Sequence, residues 1–98
     1  MIICFYVYVL VNPESQRTYV GYSEDLKRRI REHEGSAHRG WKLIYYEAYL
    51  CESDARERER KLKAHGSGMI ELKKRVERSM AIVNQTEEGR SERGQPTV

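Results

Sequence analysis

Residues 2–11 alternate strictly: Ile3, Phe5, Val7, Val9 and Val11 fall on one side, Cys4, Tyr6, Tyr8 and Leu10 on the other. Both sides are apolar, which predicts an interior strand with neighbours on each edge. Asn12-Pro13-Glu14-Ser15-Gln16 is turn chemistry, and Thr18-Tyr19-Val20-Gly21-Tyr22 then reads as a second strand, closing a β-hairpin. Ser23, followed by Glu24 and Asp25, opens a first helix in which Leu26 and Ile30 form a narrow apolar stripe and Gly35 is the stop. After a polar loop, residues 41–50 make a third, aromatic-rich strand. Ser53-Asp54 opens a second helix, with Asp54 and Glu57 spaced as a capping box, ending at Gly66-Ser67-Gly68. Met69, Leu72 and Val76 give the spacing of a third helix.

The predicted order is β-β-α-β-α-α, a small α+β domain over residues 1–83 in which three helices flank a three-stranded antiparallel or mixed sheet. From Asn84 the chain is Gln, Glu, Gly, Ser, Arg and Pro, with little to bury, so residues 84–98 are expected to be a disordered tail. Met80-Ala81-Ile82-Val83, just before it, is read as a cap on the core or a contact for a partner.

Composition narrows the class. The apolar runs are too short to cross a bilayer, and Met1-Ile2-Ile3-Cys4-Phe5 carries no basic region or cleavage site, so a cytoplasmic protein without a membrane partner is expected. Cys4 and Cys51 lack metal-site spacing and are expected to be buried, inert thiols. The net charge of +3 divides as −1 over residues 84–98 and +4 over residues 1–83. Mild basicity of this kind suits a phosphate-bearing partner without demanding one.

Four features break the local rules. On the second helix Ala55, Glu59 and Leu62 stand at i, i+4 and i+7, so Glu59 falls where the apolar stripe should continue. Burying a lone carboxylate is costly; a cation, a metal or a wet cleft would compensate it, and so would an ordinary pair with Lys63 one turn on. Arg29 flanks the stripe of the first helix with His33 one turn away. It can present a donor fork to a phosphate, or belong with Arg28 and Arg31 to a solvated basic face. Tyr8 and Tyr19 occupy definite faces of paired strands, where phenols can orient water or simply pack. Gly21 permits close approach of a neighbouring chain or ligand.

These residues, in this order, resemble the GIY-YIG nuclease superfamily, and in particular its small stand-alone predicted-endonuclease branch. The first signature element appears as Tyr6-Val7-Tyr8 and the second as Tyr19-Val20-Gly21. Asp25-Leu26-Lys27-Arg28-Arg29-Ile30 matches the arginine helix with Arg29 in the arginine position, and Arg31-Glu32-His33 matches a histidine of that branch. The segment from Asp54 to Lys63 places the metal-binding glutamate on Glu59, and Trp41-Lys42-Leu43-Ile44-Tyr45-Tyr46-Glu47 is also similar. Two departures stand out: Tyr6 replaces the first glycine, and Tyr22 stands where repair-type members carry a lysine.

The resemblance implies a metal-dependent endonuclease that hydrolyses phosphodiester bonds with one divalent cation, Mg²⁺ or Mn²⁺. Its substrate would be nucleic acid, DNA before RNA, in repair, recombination or foreign-DNA processing. Catalytic roles fall on Tyr8, Tyr19, Arg29, His33 and Glu59, with Glu59 also the metal ligand. Lys27, Arg28, Arg39 and Lys63 become candidates for gripping the nucleic-acid backbone, and Gly21 a structural element. The alternatives are a non-catalytic nucleic-acid-binding module on the same fold, or a protein-interaction adaptor using Tyr45, Tyr49 and residues 80–83. Oligomeric state is left open.

Overall fold

The computed structural model describes residues 3–91. Strands β1 (Phe5–Val11), β2 (Thr18–Ser23) and β3 (Lys42–Tyr49) form one sheet of order β2-β1-β3, antiparallel at both junctions. The long alternating segment is therefore the central strand, as its two apolar faces require. Helices α1 (Leu26–Glu34), α2 (Glu52–Lys63), α3 (Ser67–Arg75) and α4 (Glu77–Ser91) complete the α+β fold. Among the described residues, no helix is long and apolar enough to cross a membrane.

The pleat sorts the two faces. Val7 and Val9 on β1 join Val20 on β2 in a buried cluster with Ala55 and Leu62 of α2 and Met69, Leu72 and Val76 beyond them. Tyr8, opposite Gly21, and Leu10, opposite Tyr19, point the other way. There α1 lies over the sheet, and His33 is its one buried residue.

Several local expectations change. The first helix is capped by Asp25, whose side chain accepts from the Arg28 N–H, and Ser23 instead exchanges hydrogen bonds with the Asp25 backbone at 2.9 Å. The Asp54–Glu57 capping box does not form. Helix α2 starts earlier, behind Cys51, leaving Asp54 in its first turn, where a negative charge suits the helix dipole. One expected third helix is two, because the helical ladder breaks at Val76 (φ −103°, ψ 21°), and this turn carries Met80 back onto the core. Residues 84–91 continue α4, and the Asn84 side chain accepts from Gln16 Nε2 of the hairpin turn at 2.8 Å. Residues 92–98 lie outside the described residues, as do Met1 and Ile2 at the start of the expected first strand. Neither thiol is buried: Cys51 is exposed beside the α2 N-terminus and Cys4 is half-buried.

Candidate active site

Gly21 makes the site possible. Directly across from Tyr8 on β2, it has no side chain, and a Cβ there would collide with Cζ and Oη of Tyr8. The phenol therefore lies across the β2 backbone, fully buried. Its hydroxyl pairs with His33 Nε2 at 2.7 Å, and His33 Nδ1 is buried without a hydrogen-bond partner.

Three further rings continue the cluster. Tyr19 sits 6.3 Å from Tyr8 and 5.3 Å from His33, centroid to centroid. His38, from the loop after α1, packs on Tyr19 at 4.2 Å, and Trp41 meets His38 edge-on at 4.8 Å. Sequence reasoning did not single out His38. It lies in a six-residue polar loop between Gly35 and Gly40, with no periodicity to mark it.

Two charged groups from different helices influence the Tyr8 phenol. Burial, first, and then the neighbouring Tyr19 push the Tyr8 phenol up to about 12; the nearby Arg29 guanidinium opposes this, and Glu59 adds to it. Arg29 is held above its ordinary pKa chiefly by Glu32, to which it donates at 2.9 Å, with Tyr8 and Tyr19 contributing. The charges of Arg29 and Glu59 thus both bear on the Tyr8 phenol, in opposite senses. Burial, with the charge of Arg29 next and then that of His38, lowers the His33 pKa, so this imidazole is neutral at pH 7.

Glu59 is the break in the α2 stripe. Its side chain is only 14% exposed, and it pairs with Lys63 at 2.9 Å and Arg56 at 3.4 Å. Both partners are about half exposed, at 54%, and pairs of that kind are weak. Among the described residues no group of three His, Cys, Asp or Glu could hold a metal. Glu59 offers a single carboxylate here. That fits a hard cation of the Mg²⁺ type, which keeps several waters and takes one or two carboxylates together with substrate phosphate.

The grip candidates separate. Arg28 pairs with Glu32 at 3.5 Å and lines, with Tyr22, Ser23, Glu24, Arg29 and Glu32, a cleft beside the phenols. Lys63 is engaged by Glu59. Lys27 borders a groove on the far side of α1, and Arg39 a smaller one with Trp41 and Lys42. Tyr45 and Tyr49 are not a free docking surface. Both pack against the core and donate to Glu47, which also receives the Arg58 guanidinium at 3.0 Å.

A family model described as the GIY-YIG catalytic domain matches residues 4–68, a span containing every side chain of the cluster. No curated protein and no solved structure matches the chain.

Proposed function

The chain belongs to the GIY-YIG catalytic-domain family, and from that premise we propose that it is a metal-dependent endonuclease hydrolysing nucleic-acid phosphodiesters, DNA before RNA. The observation that carries the reading is the buried Tyr8–His33 pair, packed on Tyr19 and lying with Arg29 and the 14% exposed Glu59 inside the matched span.

The chemistry follows from the residue types. Arg29 is cationic at all relevant pH and stabilises negative charge building on a phosphate. Tyr19 orients the attacking water through its hydroxyl. Tyr8 keeps its proton near neutral pH, since its phenol is pushed up to about 12, so it serves as a hydrogen-bonding wall and not as a base. His33 anchors that wall through its 2.7 Å contact with Tyr8. Glu59 would hold the cation, Mg²⁺ or Mn²⁺, exchanging its exposed Lys63 and Arg56 partners for it. When bound, the cation supplies Lewis-acid polarisation of the phosphate and neutralises the leaving oxygen. Lys27, Arg28 and Arg39 contact phosphates, which positions the strand and reads no sequence. Repair, recombination or foreign-DNA processing are the settings such a cut serves.

The direct test is cleavage of branched DNA, linear DNA and RNA with Mg²⁺ or Mn²⁺. Wild type should cut at least one substrate, and Arg29→Ala and Glu59→Ala should each lose about 100-fold or more. Equal activity in all three proteins removes the catalytic assignment. Binding that persists in chelator, weakens with salt and never leads to cleavage would favour a non-catalytic binding module.

A further inference from the structure

On the nuclease reading, a proton must leave the attacking water, and neither Tyr8 nor His33 is placed to accept it. Tyr8 holds its own proton and is tied to His33. His33 turns one nitrogen to Tyr8 and buries the other in the protein. Tyr22 occupies the position after Gly21, so no lysine stands there to help.

We propose that His38 is the general base of this site, taking the proton of the water that Tyr19 orients. Its ring stands 4.2 Å from the Tyr19 ring, tilted by 45°, and 5.2 Å from His33. Unlike His33 it is half-buried, and no hydrogen bond engages either of its ring nitrogens among the described residues. The imidazole stands where the aromatic cluster meets solvent.

The main chain around it is held in place. The His38 N–H donates to Ser36 Oγ at 3.1 Å, and its carbonyl accepts from the Trp41 N–H at 3.0 Å. Ser36 Oγ donates in turn to the His33 carbonyl at 2.9 Å, fastening the loop to the end of α1. A base must be pre-positioned to contribute fully, and these bonds do that. The groups facing the ring are the Tyr19 phenol from β2, the His33 imidazole from α1 and the Trp41 indole; Arg29 of α1 acts on His33 behind them.

The step balances. A water O–H proton passes to an imidazole nitrogen while the water oxygen forms a bond to phosphorus. The bond from phosphorus to the leaving oxygen breaks, that oxygen takes a proton from solvent, and the imidazolium returns its proton to bulk water.

The test is the cleavage rate between pH 5.5 and 9 on a substrate that wild type cuts, at saturating Mg²⁺. Wild type should show a rate that rises with pH along a single limb and then levels. His38→Gln should lose that limb and about 10²–10⁴-fold in kcat, with KM changed less than about threefold. Added imidazole should restore rate to His38→Ala, which a misplaced loop would not allow. His38→Gln retaining the wild-type limb and rate overturns the assignment, as does a loss without imidazole rescue. If Arg29→Ala and Glu59→Ala are inactive while His38→Gln is unaffected, only the base is wrong. If wild type cuts nothing, or those two variants cut as well as wild type, the nuclease reading fails and the base with it.

Discussion

Gly21 is the residue of the site with the least freedom to change. Tyr8 occupies the space a side chain would need, so Gly21→Ala forces either the phenol or β2 to move. Overpacking of this kind costs about 1–3 kcal/mol, which urea unfolding would read directly; cleavage should fall further than stability, because Tyr8 leaves its place beside Arg29. His33 gives a pH signature. Its folded pKa lies below the ordinary value, so the unfolded chain binds more protons in the window between the two. Stability should therefore rise with pH from the depressed value up to about 6.5 and be flat above it. His33→Gln should remove that dependence in denaturation curves taken between pH 5 and 7.5, at ~1–3 kcal/mol for the lost Tyr8 partner. At this scale the sequence was legible where a pattern was interrupted. Glu59 stood out because it broke an apolar stripe, and it is half-buried for that reason. His38 broke nothing, and only the folding of its loop onto Tyr19 gives it a place.

Helix α2 is fastened at two consecutive positions that point in different directions. Glu59 pairs with Lys63 and Arg56 and its charge bears on the Tyr8 phenol, while Arg58 reaches across to Glu47 on β3 with 3.0 Å contacts. Burial alone would raise the Glu47 pKa, but the Arg58 fork and the Tyr45 and Tyr49 hydroxyls outweigh it and hold the carboxyl below its ordinary value. That stabilisation is present above the unfolded pKa and is lost as pH falls through the folded one. Arg58→Ala leaves a carboxylate only 15% exposed without its cation, and should cost about 3 kcal/mol, discounted for that residual exposure. The Arg58→Leu/Glu47→Leu double variant should recover part of the loss in thermal unfolding, since no uncompensated charge remains. Elements were legible in the same uneven way. Alternation placed β1, turn chemistry β2 and a run of aromatics β3, each within a few residues, and helical spacing found α1, α2 and the start of α3. The caps were misread because Ser23, Asp25, Cys51 and Asp54 compete for neighbouring positions, and only the chain's exit from the sheet decides among them. The Glu47 network joins residues on β3 and α2 and has no local signature.

Across the whole molecule, charge sets what binding can look like. Of the four candidate grip residues, Arg28 and Lys63 already pair with carboxylates, leaving Lys27 and Arg39 without an ion pair among the described residues. Nucleic-acid affinity should thus depend only shallowly on salt, with log K falling against log[salt] at a slope of about −2 to −4 on duplex DNA. Fluorescence anisotropy in chelator measures it, and a slope near −8 would place far more of the surface on the phosphates than the site accounts for. The central claim is that α1 and α2 complete one catalytic unit around the phenols. It is tested most directly by a double-mutant cycle on single-turnover cleavage with Arg29→Ala, Glu59→Ala and both together. Residues acting as a unit predict that each single variant loses about 100-fold or more and that the pair loses little beyond the worse of the two. Singles that cut at the wild-type rate, or losses that simply multiply, would contradict it.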